Sequence, residues 1–180
     1  VDKEACPNNL APTSSTTAAL VMGDAIAVSL ISANNFTAKD FAMSHPSGSL
    51  GRRLLTLVSS IMKSGKDIPM VSKETLLIDS LLVMSEKALG MVLIAENEKL
   101  IGIFTDGDLR RALESNIDFQ KLAIGDVMTR DCKSIEPQEP ALSAMQLMEK
   151  YSLNSLPVVD QSNKIVGAIN MHTLIQAKLF

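Results

Sequence analysis

Leu93-Ile94-Ala95-Glu96-Asn97-Glu98-Lys99-Leu100-Ile101-Gly102 and, 65 residues further on, Val158-Val159-Asp160-Gln161-Ser162-Asn163-Lys164-Ile165-Val166-Gly167 are one pattern written twice. An apolar run, a polar turn and a second apolar run closing on glycine read as two strands around a hairpin. The correspondence extends upstream: Val71 to Met84 repeats as Ile135 to Met148, and Ile61-Met62 as Val127-Met128, at offsets of 64 and 66. Each copy then reads as a short opening strand, an amphipathic helix, two strands and a closing helix, β-α-β-β-α. The helices carry Ile78, Leu81 and Leu82 in one copy and Leu142, Met145 and Met148 in the other. Glu114-Ser115-Asn116-Ile117-Asp118 reads as the polar linker between copies.

Composition narrows the function classes. Of the 180 residues 46% are hydrophobic but only 3% aromatic, so aliphatic side chains and ten methionines must fill the core. A net charge of −3 with a pI near 5.4 excludes a broadly basic face and argues against nucleic acid as a partner. Cys6 and Cys132 lack metal-ligand spacing, and no metal is expected; they read as free thiols of a reducing compartment, which points to the cytoplasm. The apolar run Ala18 to Ala33 is interrupted by Asp24 and falls short of the roughly 18 to 20 residues of a membrane span. It is expected to be a buried helix, with no membrane partner. No signal peptide is visible, and the start at Val1, inside what reads as the end of a structural element, points to a fragment.

Residues 1 to 55 stand outside the repeat. Thr13-Ser14-Ser15-Thr16-Thr17 directly before Ala18-Ala19-Leu20 marks a helix N-terminus, where hydroxyls either cap backbone N–H groups or face a substrate phosphate or sugar. Fifty-five residues cannot bury a core alone, so the segment needs an upstream half or a partner chain. Ser44-His45-Pro46-Ser47-Gly48-Ser49-Leu50-Gly51-Arg52-Arg53 places a protonatable imidazole among small residues and two cations, a combination suited to a phosphorylated substrate. His172, at a helix start in the second copy, reads as a capping or cleft residue rather than a catalyst.

In the first copy Gly102-Ile103-Phe104-Thr105-Asp106-Gly107-Asp108 leaves a strand and enters a helix. Thr105 and Asp108 have capping-box spacing. The same geometry serves a ligand, with hydroxyl and N–H groups on a phosphate and the carboxylate on a ribose. The second copy has Asn170 and Thr173 there, and without the carboxylate a second ribose clamp is not expected.

The repeat resembles the cystathionine-β-synthase (CBS) domain pair, matching its glycine, hydroxyl and acid pattern at Gly102, Thr105 and Asp108. That resemblance implies a mixed α/β (α+β) fold whose two copies pack through their sheets, leaving a cleft for an adenosine-type ligand. Residues 1 to 55 resemble the C-terminal helical end of a Rossmann-like sugar isomerase (SIS) domain. The residues carrying this are Glu4-Ala5-Cys6-Pro7, Leu10 to Thr17, Val21-Met22-Gly23-Asp24-Ala25, Phe36 to Ala42, and Ser44-His45-Pro46 with Gly48, Leu50, Gly51 and Arg52. Ser47 stands where that family usually has a second glycine. The combination resembles the D-arabinose 5-phosphate isomerase family of the Kdo pathway and implies domains at 1–55, 57–115 and 123–180. It also implies interconversion of D-arabinose 5-phosphate and D-ribulose 5-phosphate without a cofactor. Its site would include Glu4, as base or orienting group, and His45, in acid/base work. A regulatory adenine nucleotide or CMP-Kdo at the CBS pair, and a tetramer with dimer contacts through the pairs, are implied as well. The family's phosphate-cradling loop, with a further lysine and glutamate, has no counterpart in these residues, so the chain alone is expected to be inactive.

Overall fold

A computed structural model describes residues 1–45, 48–114 and 118–179, apart from the side chains of Ser49 and Leu50. Pro46 and Ser47 of the histidine loop, and Ser115 to Ile117 of the expected linker, lie outside the described residues. Four helices come first: α1 (Ser14–Ala33), α2 (Ala38–Ser44), α3 (Ser49–Leu55) and α4 (Val58–Ile61). The first copy continues with β1 (Met70–Ser72), α5 (Leu77–Lys87), β2 (Met91–Glu96), β3 (Lys99–Thr105) and α6 (Asp106–Glu114). The second has α7 (Ile124–Val127), α8 (Ala141–Tyr151), β4 (Ser155–Val159), β5 (Ile165–Asn170) and α9 (Met171–Gln176).

In the first copy β1 runs parallel to β2, with Met70 opposite Leu93, and β2 pairs antiparallel with β3, with Leu93 opposite Ile103. The hairpin turns through Asn97 and Glu98, both at positive φ, a geometry that matches the twist of the flanking strands. In the second copy β4 and β5 form the antiparallel pair, and Asp160 fixes the turn by accepting from the Ser162 and Lys164 N–H groups. The expected opening strand is reduced there to one parallel bridge between Ile135 and Val158. Pro137 has no N–H for a longer ladder, and the carbonyls of Pro137 and Glu139 instead accept from Ser59 and Val58.

The segment leading into each copy packs on the other copy. Val58, Ile61 and Met62 join Met148, Leu156, Ile169 and Leu174 in one core, while Ile124, Val127 and Met128 join Leu77, Ile94 and Phe104 in another. Lys63 exchanges two backbone hydrogen bonds with Ala168, at 2.8 and 3.0 Å, and Thr129 exchanges two with Ile103, at 2.9 and 2.8 Å. Glycine is required at both crossings. A Cβ on Gly102 would lie 2.6 Å from Met128 Sδ, and one on Gly167 would lie 2.5 Å from Met62 Sδ and 2.9 Å from the Lys63 carbonyl. Between the sheets Met91, Leu93 and Leu100 meet Val159, Ile165 and Ala168, so the copies do pack through their sheets. The hairpin tips are laced by Leu100 N–H to the Asn163 carbonyl and Ile165 N–H to the Glu98 carbonyl.

Helix α1 departs from expectation in two respects. It starts four residues before Ala18, taking Ser14 to Thr17 into its first turn, and its 20 residues are long and apolar enough to cross a membrane by length and composition. None of them is buried in this chain: Leu20, Val21 and Met22 are 66, 62 and 63% exposed. Its apolar side chains are spread around the helix rather than along one stripe, so contact on a single side could not bury them.

The two crossings make a stability prediction. Gly167→Ala is expected to lower the unfolding free energy by about 1 to 3 kcal/mol, the range for overpacking a close contact. Urea denaturation checks it against Gly23→Ala, whose added Cβ meets nothing within 4 Å.

Candidate functional site

Glu4 lies at the start of α1 in space, although it stands ten positions before Ser14 in sequence. Its Oε2 accepts from the Thr13 N–H at 2.7 Å, the Thr13 hydroxyl at 2.9 Å and the Ser15 N–H at 3.2 Å. Thr13 Oγ1 in turn accepts from the Ala5 and Cys6 N–H groups. The helix is therefore capped by a distant carboxylate, while Thr13 makes no side-chain capping bond of its own and the Thr16 and Thr17 hydroxyls donate back to its carbonyl. Hydrogen bonds from Ser15 and Thr13 hold the Glu4 carboxyl at about 2, against an ordinary 4.5. A wide groove of about 940 Å³ runs beside this turn, lined by Ala5, Thr13, Thr17, Val21 and Met22 among others.

His45 ends α2. Thr37 and Asp40 start that helix with a reciprocal capping box, and the His45 N–H closes it on the Phe41 and Ala42 carbonyls. The imidazole is exposed, with its ring centroid 4.9 Å from that of Phe41. Among the described residues no hydrogen bond or ion pair joins His45 to Glu4, and each stands in its own surroundings. Arg52 and Arg53 lie in the last turn of α3, and Arg53 is half-buried.

The second site is a cleft of about 460 Å³ between the copies. Thr105, Asp106 and Arg111 come from the first copy, Thr129, Asp131, Cys132 and Lys133 from the segment crossing over it, and Tyr151 to Ser155 from the end of α8 and the start of β4. Thr105 and Asp108 form the anticipated box: Asp108 Oδ2 accepts from the Thr105 N–H at 2.8 Å and hydroxyl at 2.7 Å. Asp108 Oδ1 accepts from Arg111 at 2.5 Å and from the Thr129 hydroxyl at 3.2 Å, tying the cleft wall to the crossing segment. Burial raises the Asp108 pKa, and the bonds from Thr105, Arg111 and Thr129 outweigh it, so the carboxylate is held below its ordinary range. In the second copy the polarity of the box is reversed, with Asn170 Oδ1 accepting from the Thr173 N–H and hydroxyl.

Thr105 lines the cleft; Asp108 stands behind it with its side chain 10% exposed, and Gly102 faces Met128 at the crossing. Lys133 and Arg111 are cations of the cleft that the linear sequence did not single out, since they become neighbours only through the crossover. Lys133 Nζ also lies 5.4 Å from the Tyr151 ring centroid, with Lys150 Nζ at 5.3 Å. Cys132 lines the same wall, its pKa raised by burial, and is a free thiol like Cys6. His172 contacts Gln176 on α9.

The family pattern of the CBS domain matches residues 58–115 and 124–179, the two crossed copies. The chain belongs to the CBS-domain family. The CBS pair of CBSX2 in complex with AMP superposes with a TM-score of 0.58 over 68% of this chain and 96% of that one, at 23% identity, which speaks for the fold alone. Similarity also extends beyond the CBS pair. The chain is 52% identical over 179 residues to arabinose 5-phosphate isomerase KdsD of Francisella tularensis, covering 99% of this chain and 55% of that protein. To KdsD of Pseudomonas aeruginosa it is 51% identical over 178 residues, covering 98% and 55%. The chain thus spans about half the length of the curated relatives it matches, and the match includes the helices ahead of the CBS pair.

The Glu4 cap has a pH signature. Its depressed pKa means that its contribution to the turn is complete above about pH 4.5 and is lost as pH falls toward 2. A carboxyl carbon titration is expected to show a midpoint near 2 for Glu4; a midpoint near 4.5 contradicts the cap.

Proposed function

We propose that the chain is the C-terminal part of an arabinose 5-phosphate isomerase, with the end of its isomerase domain at 1–55 followed by CBS domains at 57–115 and 123–180. What carries this reading is the 52% identity to a KdsD enzyme over 99% of the chain, which takes in residues 1–55 as well as the CBS pair. The reaction interconverts D-arabinose 5-phosphate and D-ribulose 5-phosphate by moving a proton between C2 and C1 through an enediol, and needs no redox cofactor. His45, an exposed imidazole on a helix-ending loop, is suited to acid/base work on the opened sugar. Glu4 is better suited to orienting. A carboxylate held at about 2 is a weak proton acceptor, but it fixes the turn from residue 4 to the α1 N-terminus.

Helix α1 fits the same reading. Exposed apolar residues around the helix call for a cover, and the remaining 45% or so of the relatives' length is the natural source of one. Asp24, Ser29 and the hydroxyls of its first turn suit a protein interior better than lipid. In the whole protein the substrate is a sugar phosphate, the Kdo branch of lipopolysaccharide synthesis is the pathway and the cytoplasm the compartment. Leu82, Leu113 and Ile175 on the CBS helices are exposed and so available for dimer contacts within a tetramer. The cleft is the regulatory site, taking an adenine nucleotide or the nucleotide-sugar CMP-Kdo. Arg111 and Lys133 meet the phosphate there, and Asp108, fully engaged by its neighbours, holds the wall in shape.

Two measurements test these roles. The 180-residue chain is expected to be inactive and an N-terminally extended protein active, with His45→Ala reducing its turnover by about 100-fold or more, as loss of a general acid/base does; unchanged turnover removes His45 from the reaction. In titration calorimetry on the chain with AMP and CMP-Kdo, Lys133→Ala is expected to weaken binding about 10-fold, the loss of one charge-assisted phosphate contact. Equal affinity moves the ligand away from this cleft.

A further inference from the structure

We infer that α8 is the rod that couples the cleft between the CBS domains to His45. This rests on reading the cleft as a nucleotide site. The C-terminal end of α8 is part of the cleft: Tyr151 closes the helix, Ser152 follows in the left-handed conformation at φ 53°, and Leu153 to Ser155 continue along the cleft wall. Its N-terminal end is fastened to the segment arriving from the isomerase side. The Ala141 N–H donates to the Thr56 carbonyl at 2.8 Å, Leu57 bridges Pro140, and the Val58 N–H donates to the Glu139 carbonyl at 2.9 Å. Thr56 caps the C-terminal end of α3, and α3 itself packs against α8. At the other end of α3, the Gly48 N–H donates to the His45 carbonyl at 3.2 Å.

Backbone bonds and rigid elements therefore run from Ser155 to His45. The span of α8 is 11 residues, about 16 Å at the rise of an α-helix. Ala141, Ala144 and Met148 have no exposed surface, so the helix is gripped by the core along its length. A close-packed helix responds to a push at one end by moving as a body rather than by bending locally.

The fold also explains why α8 and not α5 has this part. At the N-terminal end of α5 the matching bonds, Leu77 N–H to the Leu122 carbonyl and the Leu76 bridge to Ala123, go to the connection between the CBS domains. At α8 the same place is occupied by residues 56 to 59, the connection to the isomerase side. A ligand that binds one position of α8 more tightly than another biases α3 and the His45 carbonyl by at most that difference in free energy, and the effect is reciprocal.

The test follows the His45 imidazole by nuclear magnetic resonance in the 180-residue chain, with AMP and CMP-Kdo as the probes and His172→Asn to assign the two rings. On titration the His45 signal is expected to shift saturably, with the same midpoint as the amides of Asn154 and Ser155. Ala141→Pro removes the N–H given to Thr56 at a first-turn position that tolerates proline. It is expected to abolish the His45 shift while the Asn154 midpoint stays within about twofold, the mark of lost coupling rather than lost binding. Gln146→Gly, at an exposed position in the middle of α8, replaces it if the proline variant does not fold. Saturation at Asn154 and Ser155 with a stationary His45 signal overturns the coupling and leaves the nucleotide reading standing. So does a shift that persists unchanged in the variant. No response at Asn154 or Ser155 to either probe overturns both.

Discussion

The structure depends on the reciprocal crossing of the two leading segments. Lys63 is bonded into the second CBS domain and Thr129 into the first, each through a pair of backbone hydrogen bonds beside a glycine with no room for a Cβ. Neither domain has a complete core without the segment that precedes its partner. Val58 and Met62 complete one core; Ile124 and Met128 complete the other. The cleft is a product of the same crossing, because Thr129 and Asp131 to Lys133 become its wall only by passing over the first domain. Asp108 reinforces that join, holding Arg111 of its own helix and Thr129 of the crossing segment with one carboxylate oxygen.

A different constraint governs residues 1 to 55. Here a charge does what a core does elsewhere: the Glu4 carboxylate gathers Thr13 and Ser15 and so ties the extended start of the chain to α1. That anchor is electrostatic and directional, and it operates without burial of the helix it caps. The segment is locally ordered, and the apolar surface of α1 stays exposed in this chain.

Much of the fold was legible because the repeat has an internal check. Two hairpins with polar turns at Asn97-Glu98 and Asp160 to Lys164 have to mean the same structure, and they do. The capping box of Thr105 and Asp108 was legible for the same reason, since its spacing encodes its geometry. What escaped was non-local. Ile61-Met62 and Val127-Met128 were visible as corresponding residues, but correspondence cannot say that each pair lodges in the opposite copy. Lys133 and Arg111, 22 positions apart, share a cleft only as a result. The length of α1 is not legible locally, because Ser14 to Thr17 have the composition of residues that precede a helix. Glu4, not those hydroxyls, supplies the cap, so they could enter the first turn. The shortened opening strand at Ile135 traces to Pro137 and to backbone partners contributed by Val58 and Ser59, which no local pattern reveals.

The crossing also sets an order of events during synthesis. As the chain leaves the ribosome, β1 to β3 emerge well before Ile124 and Met128, so Leu77, Ile94 and Phe104 wait with part of their packing surface uncovered. Val58 and Met62 wait longer still, until Leu156 and Ile169 have been made. A ribosomal pause after the first domain would therefore hold an unfinished half rather than a folded one. The pair acquires its native cores together, once Leu156 and Ile169 have joined the chain.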